Sequence, residues 1–157
     1  MQASRPDRSH QAGVKEGAGR TLAQVSCLVV GAILIAVGVL GFFFGGSDFT
    51  IGDNVEGQNF IIFEVNGWHN VVHIATGAFL VLMAVTAGSA VIGLLIFGLA
   101  YLAVTVWGFL EGNDVVDLIP VDTADNWLHL ALTVVALLIA LVSGGLLGSA
   151  RRAGRGA

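Results

Sequence analysis

The sequence predicts an all-α protein: a four-helix transmembrane bundle built from two parallel-repeat helical hairpins. Three observations lead to this class, namely long uncharged apolar runs, basic residues confined to two tails, and a short motif that occurs twice. Of the 157 residues, 55% are hydrophobic and 11% are charged. A soluble domain carries about 25% charged residues. The composition is therefore typical of a chain whose main solvent is lipid.

Three runs contain no Asp, Glu, Lys or Arg, and they cover residues 21–47, 65–110 and 126–150. A membrane-spanning helix needs about 20 apolar residues. The first and third runs therefore hold one helix each, and the middle run holds two. We place the spans at about 22–44, 68–87, 91–109 and 127–147, within a membrane domain covering 21–148. A tight turn at Thr86–Ala90 is predicted to join the middle pair.

The charges predict how the chain is oriented in the membrane. All seven Lys and Arg residues lie in two tails, residues 1–20 and 149–157, and nine of the eleven acidic residues lie in the two long loops. Basic residues favour the cytoplasmic side. We therefore expect a multi-pass protein of the cell membrane, with cytoplasmic termini and extracytoplasmic acidic loops. The polar composition of residues 1–20 predicts a disordered basic tail, and 149–157 form a second basic tail.

A repeated motif relates the two halves of the chain. The segment "NVVHIA", residues 70–75, matches "NWLHLA", residues 126–131, and "GFFFG" at 41–45 matches "GFLEG" at 108–112. Each half reads as an outward helix, an acidic loop and an inward helix with Asn and His near its start. Because both halves have one orientation, a pseudo-two-fold axis along the membrane normal is predicted. His73 and His129 would then lie at equivalent depth and face each other.

Glycine spacing predicts where the helices approach closely. Gly41 and Gly45 are four residues apart in the first helix, as are Gly144 and Gly148 in the fourth. Small residues at this spacing let helix backbones approach each other in lipid. The pattern favours compact packing of the helices.

The segments "WHNVVHIATG" and "DNWLHLAL", together with four spans and a basic cytoplasmic tail, resemble a family of small actinobacterial integral membrane proteins. That family is catalogued only as a domain of unknown function. The resemblance covers about residues 20–148. It implies the four-span fold and an actinobacterial cell membrane, and it implies no activity.

The candidate site is a polar cluster near the outer face, made of His69, His73, His129, Asn70 and Asn126. A neutral imidazole offers one donor and one acceptor, and Asn70 and Asn126 each lie three residues before a histidine on the same helix face. We favour interhelical His/Asn contacts in a structural or accessory membrane component.

Two other functions stay open. His69 and His73 have the i, i+4 spacing of two ligands on one helix, His129 supplies a third, and Glu64 or Asp125 would complete a tetrahedral metal shell. Alternatively, His73 and His129 bracket a haem. A third hypothesis is proton or ion handling, because ionisable groups within membrane spans are functional candidates. No cofactor is firmly implied.

Catalysis is not expected, because the sequence has no Ser-His-Asp ordering, no nucleotide-binding glycine loop and no charged pocket within the spans. The expected partner is the lipid bilayer, and nucleic acid is not expected. Association with a second copy or with another membrane protein stays open.

Overall fold

The structure is a computed structural model that describes residues 19–52, 55–112 and 114–155. It is mostly helical, as the sequence predicts. The described elements, in chain order, are α1 (Leu22–Phe44), β1 (Gln58–Phe60), β2 (Phe63–Val65), α2 (Gly67–Met83), α3 (Ala87–Glu111), β3 (Asp114–Val115), β4 (Ile119–Pro120) and α4 (Thr123–Arg155).

Three helices contain stretches that are long and apolar enough to cross a membrane: Leu22–Phe44, Ala87–Glu111 and Thr123–Gly145. The fourth, α2, is apolar but has only 17 residues. The usual length of a membrane span is about 17–25 residues, so α2 lies at the lower limit of that range.

The turn between α2 and α3 lies slightly earlier than predicted. α2 ends at Met83 and α3 begins at Ala87, so the turn covers 84–86 rather than Thr86–Ala90. Thr86 caps α3, since its hydroxyl accepts a hydrogen bond from the Ser89 backbone N–H at 3.0 Å and its own N–H donates to the Ser89 hydroxyl at 3.1 Å. This reciprocal capping satisfies two backbone donors and fixes the helix start.

The predicted tails differ from the structure in one respect. α4 continues to Arg155, so most of the segment 149–157 is helical, while residues 156–157 lie outside the described part of the chain. Most of the N-terminal tail predicted for 1–20, namely residues 1–18, also lies outside it.

Each of the two long loops contains a small antiparallel strand pair that the sequence did not predict. β1 pairs with β2 and β3 pairs with β4. Ile61 lies at the turn of the first pair and Val116 at that of the second, with φ values of 64° and 52°. β-Branched residues rarely adopt positive φ. Both turns are therefore tight and strained.

Within the first half, α1 and α2 lie antiparallel and in contact along their length. A Cβ at Gly31 would stand 2.7 Å from the Gly77 carbonyl oxygen. Further along, the Gln24 side-chain amide donates to the Ala84 carbonyl at 3.0 Å. The two helices are therefore in contact from the middle of α1 to its start.

The second half repeats this arrangement with α3 and α4. A Cβ at Gly98 would stand 2.7 Å from Leu137, and one at Gly144 would stand 3.6 Å from Val91. The contact at Gly144 is an ordinary one, and within the described residues nothing lies within 4 Å of such an atom at Gly148. The predicted glycine pair of α4 therefore brings no backbone into close approach.

An apolar core fills the space among the helices. Its most deeply buried large side chains include Leu34 from α1, Leu80 from α2, and Leu94 and Phe97 from α3. Ala136 and Ala140 line it from α4. Tyr101 is the member of this core nearest to the strand pairs. The apolar side chains therefore lie between the polar side chains buried near the strand pairs and the other end of the helix bundle.

Candidate metal-binding site

Three histidines lie together at the helix ends nearest the strand pairs. α2 supplies His69 and His73, and α4 supplies His129. One ring nitrogen from each lies within 4.8 Å of the other two. The ring centroids of His69 and His73 are 4.5 Å apart, and those of His69 and His129 are 6.2 Å apart. The structure thus brings together all three histidines that the sequence singled out.

The starts of α2 and α4 determine where these histidines lie. The Asn66 side chain accepts from the His69 backbone N–H at 2.9 Å, and the Asp122 side chain accepts from the Asp125 N–H at 2.8 Å. Asn and Asp are favoured helix caps because they satisfy backbone donors that have no partner within the helix. His73 and His129 follow one turn later.

The same capping side chains connect the two halves. The Asn66 amide donates to the Leu118 carbonyl at 2.8 Å. The Glu64 backbone N–H donates to the second carboxylate oxygen of Asp122 at 2.9 Å. Each cap is therefore held by the strand pair of the other half, which keeps the histidines of α2 close to the histidine of α4.

The three histidines are buried and incompletely hydrogen-bonded. His69, His73 and His129 are 2%, 8% and 5% exposed. Within the described chain, the Nδ1 atom of each has no hydrogen-bond partner. A buried polar atom without a partner costs about 1–3 kcal/mol, and such atoms are rare in folded proteins. Other buried polar atoms, such as Thr133 Oγ1 and Ser143 Oγ, are unpartnered too, so the distinguishing feature of the three histidines is that they lie together.

His69 has a further feature of a metal ligand. The backbone carbonyl groups of Glu64 and Pro120 interact with its imidazole. A neutral imidazole has one ring N–H, and these carbonyls can accept its hydrogen bond. Metal-binding histidines commonly donate their second ring N–H to a carbonyl, which fixes the tautomer and the ring orientation.

A cavity of about 40 Å³ adjoins the histidines. Its lining consists of the three histidines, Tyr101 and four aliphatic residues, Val72, Val104, Val115 and Ile119. A water molecule needs about 10–15 Å³ of such space. The cavity is too small for the haem considered from the sequence, and its surface is apolar, so the ring nitrogens of the histidines do not face into it.

The separation of the histidine nitrogens fits an ion after small side-chain movements. Zinc binds imidazole nitrogen at about 2.0–2.1 Å in tetrahedral geometry, which places ligand nitrogens about 3.4 Å apart. The nitrogens here lie within 4.8 Å of one another. Closing the difference requires movements of at most about 1.4 Å, which side-chain rotation provides.

Tyr101 belongs to this site, although the sequence reading missed it. Its ring stands edge-on to His129 at a centroid distance of 5.1 Å and packs on Phe97 at 4.2 Å. Its hydroxyl is buried and has no hydrogen-bond partner among the described residues. The signal was present in the sequence, since Tyr101 is the single tyrosine of the chain and lies inside an uncharged apolar run.

The two asparagines lie elsewhere than predicted. The Asn70 amide donates to the Gly46 carbonyl at 2.8 Å rather than to His73. Its Oδ1 occupies the space where a Cβ of Gly41 would stand, and the Asn126 Oδ1 occupies the same space at Gly108. Both side chains thus fill a gap against the neighbouring helix. The predicted pairing of each asparagine with its histidine is replaced by packing on glycine.

The two carboxylates considered as fourth ligands differ in their surroundings. The Glu64 side chain accepts from the Gly57 backbone N–H at 2.8 Å. Asp125 is 2% exposed, and its Oδ2 has no hydrogen-bond partner in the part of the chain that is described. The metal-capable group of described residues contains the three histidines and neither carboxylate.

Fold and site together define a mostly helical protein with helices able to cross a membrane and a buried cluster of three histidines. The chain belongs to the family described as Domain of unknown function (DUF4383), whose model matches residues 24–142. The resemblance to a family of unknown function is thereby confirmed, and the family supplies no activity. No curated protein and no solved structure matches the chain.

Proposed function

We propose that this is a four-span membrane protein that binds a divalent transition-metal ion of the zinc type through His69, His73 and His129. The observation that carries the proposal is the convergence of three buried imidazoles whose Nδ1 atoms are unpartnered within the described residues. The sequence favoured a structural or accessory component with His/Asn contacts. The three histidines lie together, but within the described residues the asparagines are not hydrogen-bonded to them. This arrangement favours the metal-binding alternative.

Four crossings are supported by the way the helices lie side by side. α2 contacts α1 at Gly31 through Gly77, and the end of α2 meets Gln24 near the start of α1. A membrane crossed by α1 is therefore also crossed by α2. The 17 residues of α2 extend about 25 Å at 1.5 Å per residue, close to the hydrocarbon thickness of about 30 Å.

Matching contacts in the two halves support a duplicated hairpin. Gly31 packs on Val81 as Gly98 packs on Leu137, and Gly41 packs on Asn70 as Gly108 packs on Asn126. In both cases the glycines are 67 residues apart and their partners 56 residues apart. Each half also has one antiparallel strand pair between its helices. A pseudo-two-fold axis along the membrane normal explains why His73 and His129 meet.

Charge supports an extracytoplasmic site. The basic residues lie in the tails, which favours cytoplasmic termini, and the loops next to the histidines carry the acidic residues. A surface of one sign concentrates ions of the opposite sign. The acidic loops would therefore raise the local concentration of cations at the site.

Transport and catalysis receive less support. Beyond the histidines the core is mainly apolar, with Leu34, Leu80, Leu94 and Phe97 each at most 5% exposed. Thr133 and Ser143 are also buried on α4, but they lie about 15 Å apart along the helix and do not form a continuous polar path through this part of the described structure. An ion bound at the histidines would exchange with the outer side. The lining of the cavity is otherwise mainly aliphatic, so we propose binding without catalysis, with the lipid bilayer as the surrounding partner.

The proposal is tested on the full chain purified in detergent, stripped with a chelator and reloaded with Zn²⁺. Bound metal is measured by mass spectrometry. We expect one ion per chain, and at least a tenfold weaker affinity in His73→Ala and His129→Ala. His10→Ala, a histidine in the N-terminal tail, is the matched control and should bind as the unmodified chain does. Absence of zinc from the unmodified, folded protein overturns the proposal.

A further inference from the structure

Asp125 and His69 occupy the same position in the two halves of the chain. Each lies three residues after a helix cap, Asn66 or Asp122, whose side chain accepts a hydrogen bond from its backbone N–H. Each is 2% exposed, and each is followed four residues later by a histidine. The relationship that pairs His73 with His129 therefore pairs His69 with Asp125.

This equivalence indicates where the Asp125 carboxylate lies. His69 stands 4.5 Å from its own-helix neighbour His73 and 6.2 Å from His129, measured between ring centroids. On α4, Asp125 lies one turn before His129, as His69 lies one turn before His73 on α2, so residues at this spacing share one face of their helix. The Asp125 carboxylate is not part of the group of three histidine nitrogens that lie within 4.8 Å of one another. Tyr101, packed edge-on to His129, interacts electrostatically with Asp125.

A divalent ion at the three histidines requires a compensating negative charge. Three neutral imidazoles supply none, and burying an uncompensated charge is costly. Both carboxylate oxygens of Asp122 accept backbone hydrogen bonds, and Glu64 accepts one from Gly57. Asp125 is more deeply placed, and within the described chain its Oδ2 is unpartnered.

We infer that Asp125 is the charge-compensating fourth member of the site, reaching the ion directly or through one water molecule. Its role is to make the site select divalent ions such as Zn²⁺ over monovalent Cu⁺, which three neutral imidazoles alone would also accept. Among the described residues neither the Tyr101 hydroxyl nor the Asp125 Oδ2 has a hydrogen-bond partner, and with the ion bound the hydroxyl would donate to this carboxylate or to the bound water. The inference rests on the proposed function, because it assigns the selectivity of the same site.

The experiment compares Zn²⁺ and Cu⁺ affinities of the full chain in detergent, each measured by competition with a chromogenic chelator. For Asp125→Asn we expect the Zn²⁺ dissociation constant to rise by about 10–100-fold, as for lost partners of metal ligands, and the Cu⁺ constant to change less than threefold. Asp125→Glu keeps the charge and should retain the preference for Zn²⁺. Glu111→Gln, at an exposed residue at the end of α3, is the control for charge loss and should change neither constant.

The outcomes separate the two proposals. Unchanged Zn²⁺ affinity in folded Asp125→Asn, or an equal loss of both ions, overturns the role of Asp125 while the metal site stands. Failure of the unmodified chain to bind either ion overturns the metal site itself. If Asp125→Asn does not fold, Asp125→His provides the test. This variant removes the carboxylate and places a neutral imidazole at position 125, which corresponds to His69 in the first half. It should bind metal with at least a tenfold lower Zn²⁺ to Cu⁺ preference, and an unchanged preference overturns the inference.

Discussion

The Oδ1 atom of Asn70 fills the space directly against Gly41, where the side chain of any other residue would begin. Asn126 and Gly108 have the same relationship in the second half of the chain. The asparagine amide of the first pair also donates to the carbonyl of Gly46, just after the end of α1. These pairs hold α2 against α1 and α4 against α3, one turn from His73 and His129.

Replacing Gly41 or Gly108 by alanine should destabilise the protein. The added Cβ would overlap the asparagine oxygen, and overpacking of this kind costs about 1–3 kcal/mol. The measurement is the unfolding temperature in detergent. Gly88→Ala is the matched control, since nothing in the described structure lies within 4 Å of a Cβ there. Equal unfolding temperatures for all three variants would contradict the packing described for these pairs.

Removing the cap of α2 should weaken both the fold and the metal site. Asn66→Ala loses the bond to the His69 N–H and the bond to Leu118, and loss of a cap costs about 0.5–2 kcal/mol. Zinc affinity should fall together with the unfolding temperature, because His69 loses its anchor. Thr86→Ala removes the cap of α3, far from the histidines, and should lower the unfolding temperature alone. If Asn66→Ala and Thr86→Ala lost zinc affinity to the same degree, the loss would reflect general destabilisation and not the missing anchor of His69.

Removing the Tyr101 hydroxyl should weaken zinc binding without lowering the stability of the metal-free protein. In the described structure this hydroxyl is buried without a hydrogen-bond partner, so Tyr101→Phe should leave the metal-free unfolding temperature unchanged or raise it. Zinc affinity should fall several-fold, because the hydroxyl is then missing beside Asp125. Both quantities are measured on one preparation, by thermal unfolding with and without zinc. A metal-free protein that is strongly destabilised would show that the hydroxyl has a structural partner.

The four-span topology predicts that the strand pair of the first loop and the α2–α3 turn face opposite sides of the membrane. Ile62 and Val85 are both well exposed and suit cysteine substitution in a Cys27→Ser background. A membrane-impermeant thiol reagent should label Ile62→Cys in intact cells and Val85→Cys only after permeabilisation. Labelling of both in intact cells would mean that α2 does not cross.

The sequence predicts four helices because they coincide with its uncharged apolar runs, but several ends of α2, α3 and α4 differ from the prediction by four residues or more. The bounds of α1 match the prediction of 22–44, and the duplicated Asn-x-x-His motif anticipates that His73 and His129 meet. The turn before α3 was misplaced because a local capping exchange between Thr86 and Ser89 determines it, and hydropathy does not register capping. The strand pairs were missed because each strand has only two or three residues and lies in a polar loop.

The sequence singled out the three histidines that lie together, but it did not predict what surrounds them. Helical spacing places His69 beside His73, and the repeat brings in His129. The asparagines contact glycines rather than histidines because Gly41 and Gly108 leave room for an amide from the neighbouring helix. Whether such room exists depends on how two helices pack, which the spacing within one helix does not show. Tyr101 comes from α3, whose position relative to α4 is likewise a tertiary property that spacing within one helix does not contain.

X-ray absorption spectroscopy of the zinc-loaded full chain tests the central claim most directly, because it reports the atoms bound to the metal. Imidazole ligation by His69, His73 and His129 predicts three nitrogen scatterers at about 2.0–2.1 Å, with the outer-shell pattern of imidazole rings, and one oxygen. The imidazole pattern should weaken in His129→Ala and stay unchanged in His10→Ala. A spectrum with oxygen ligands only, or one that His129→Ala leaves unaltered, would contradict a metal site built from these three histidines.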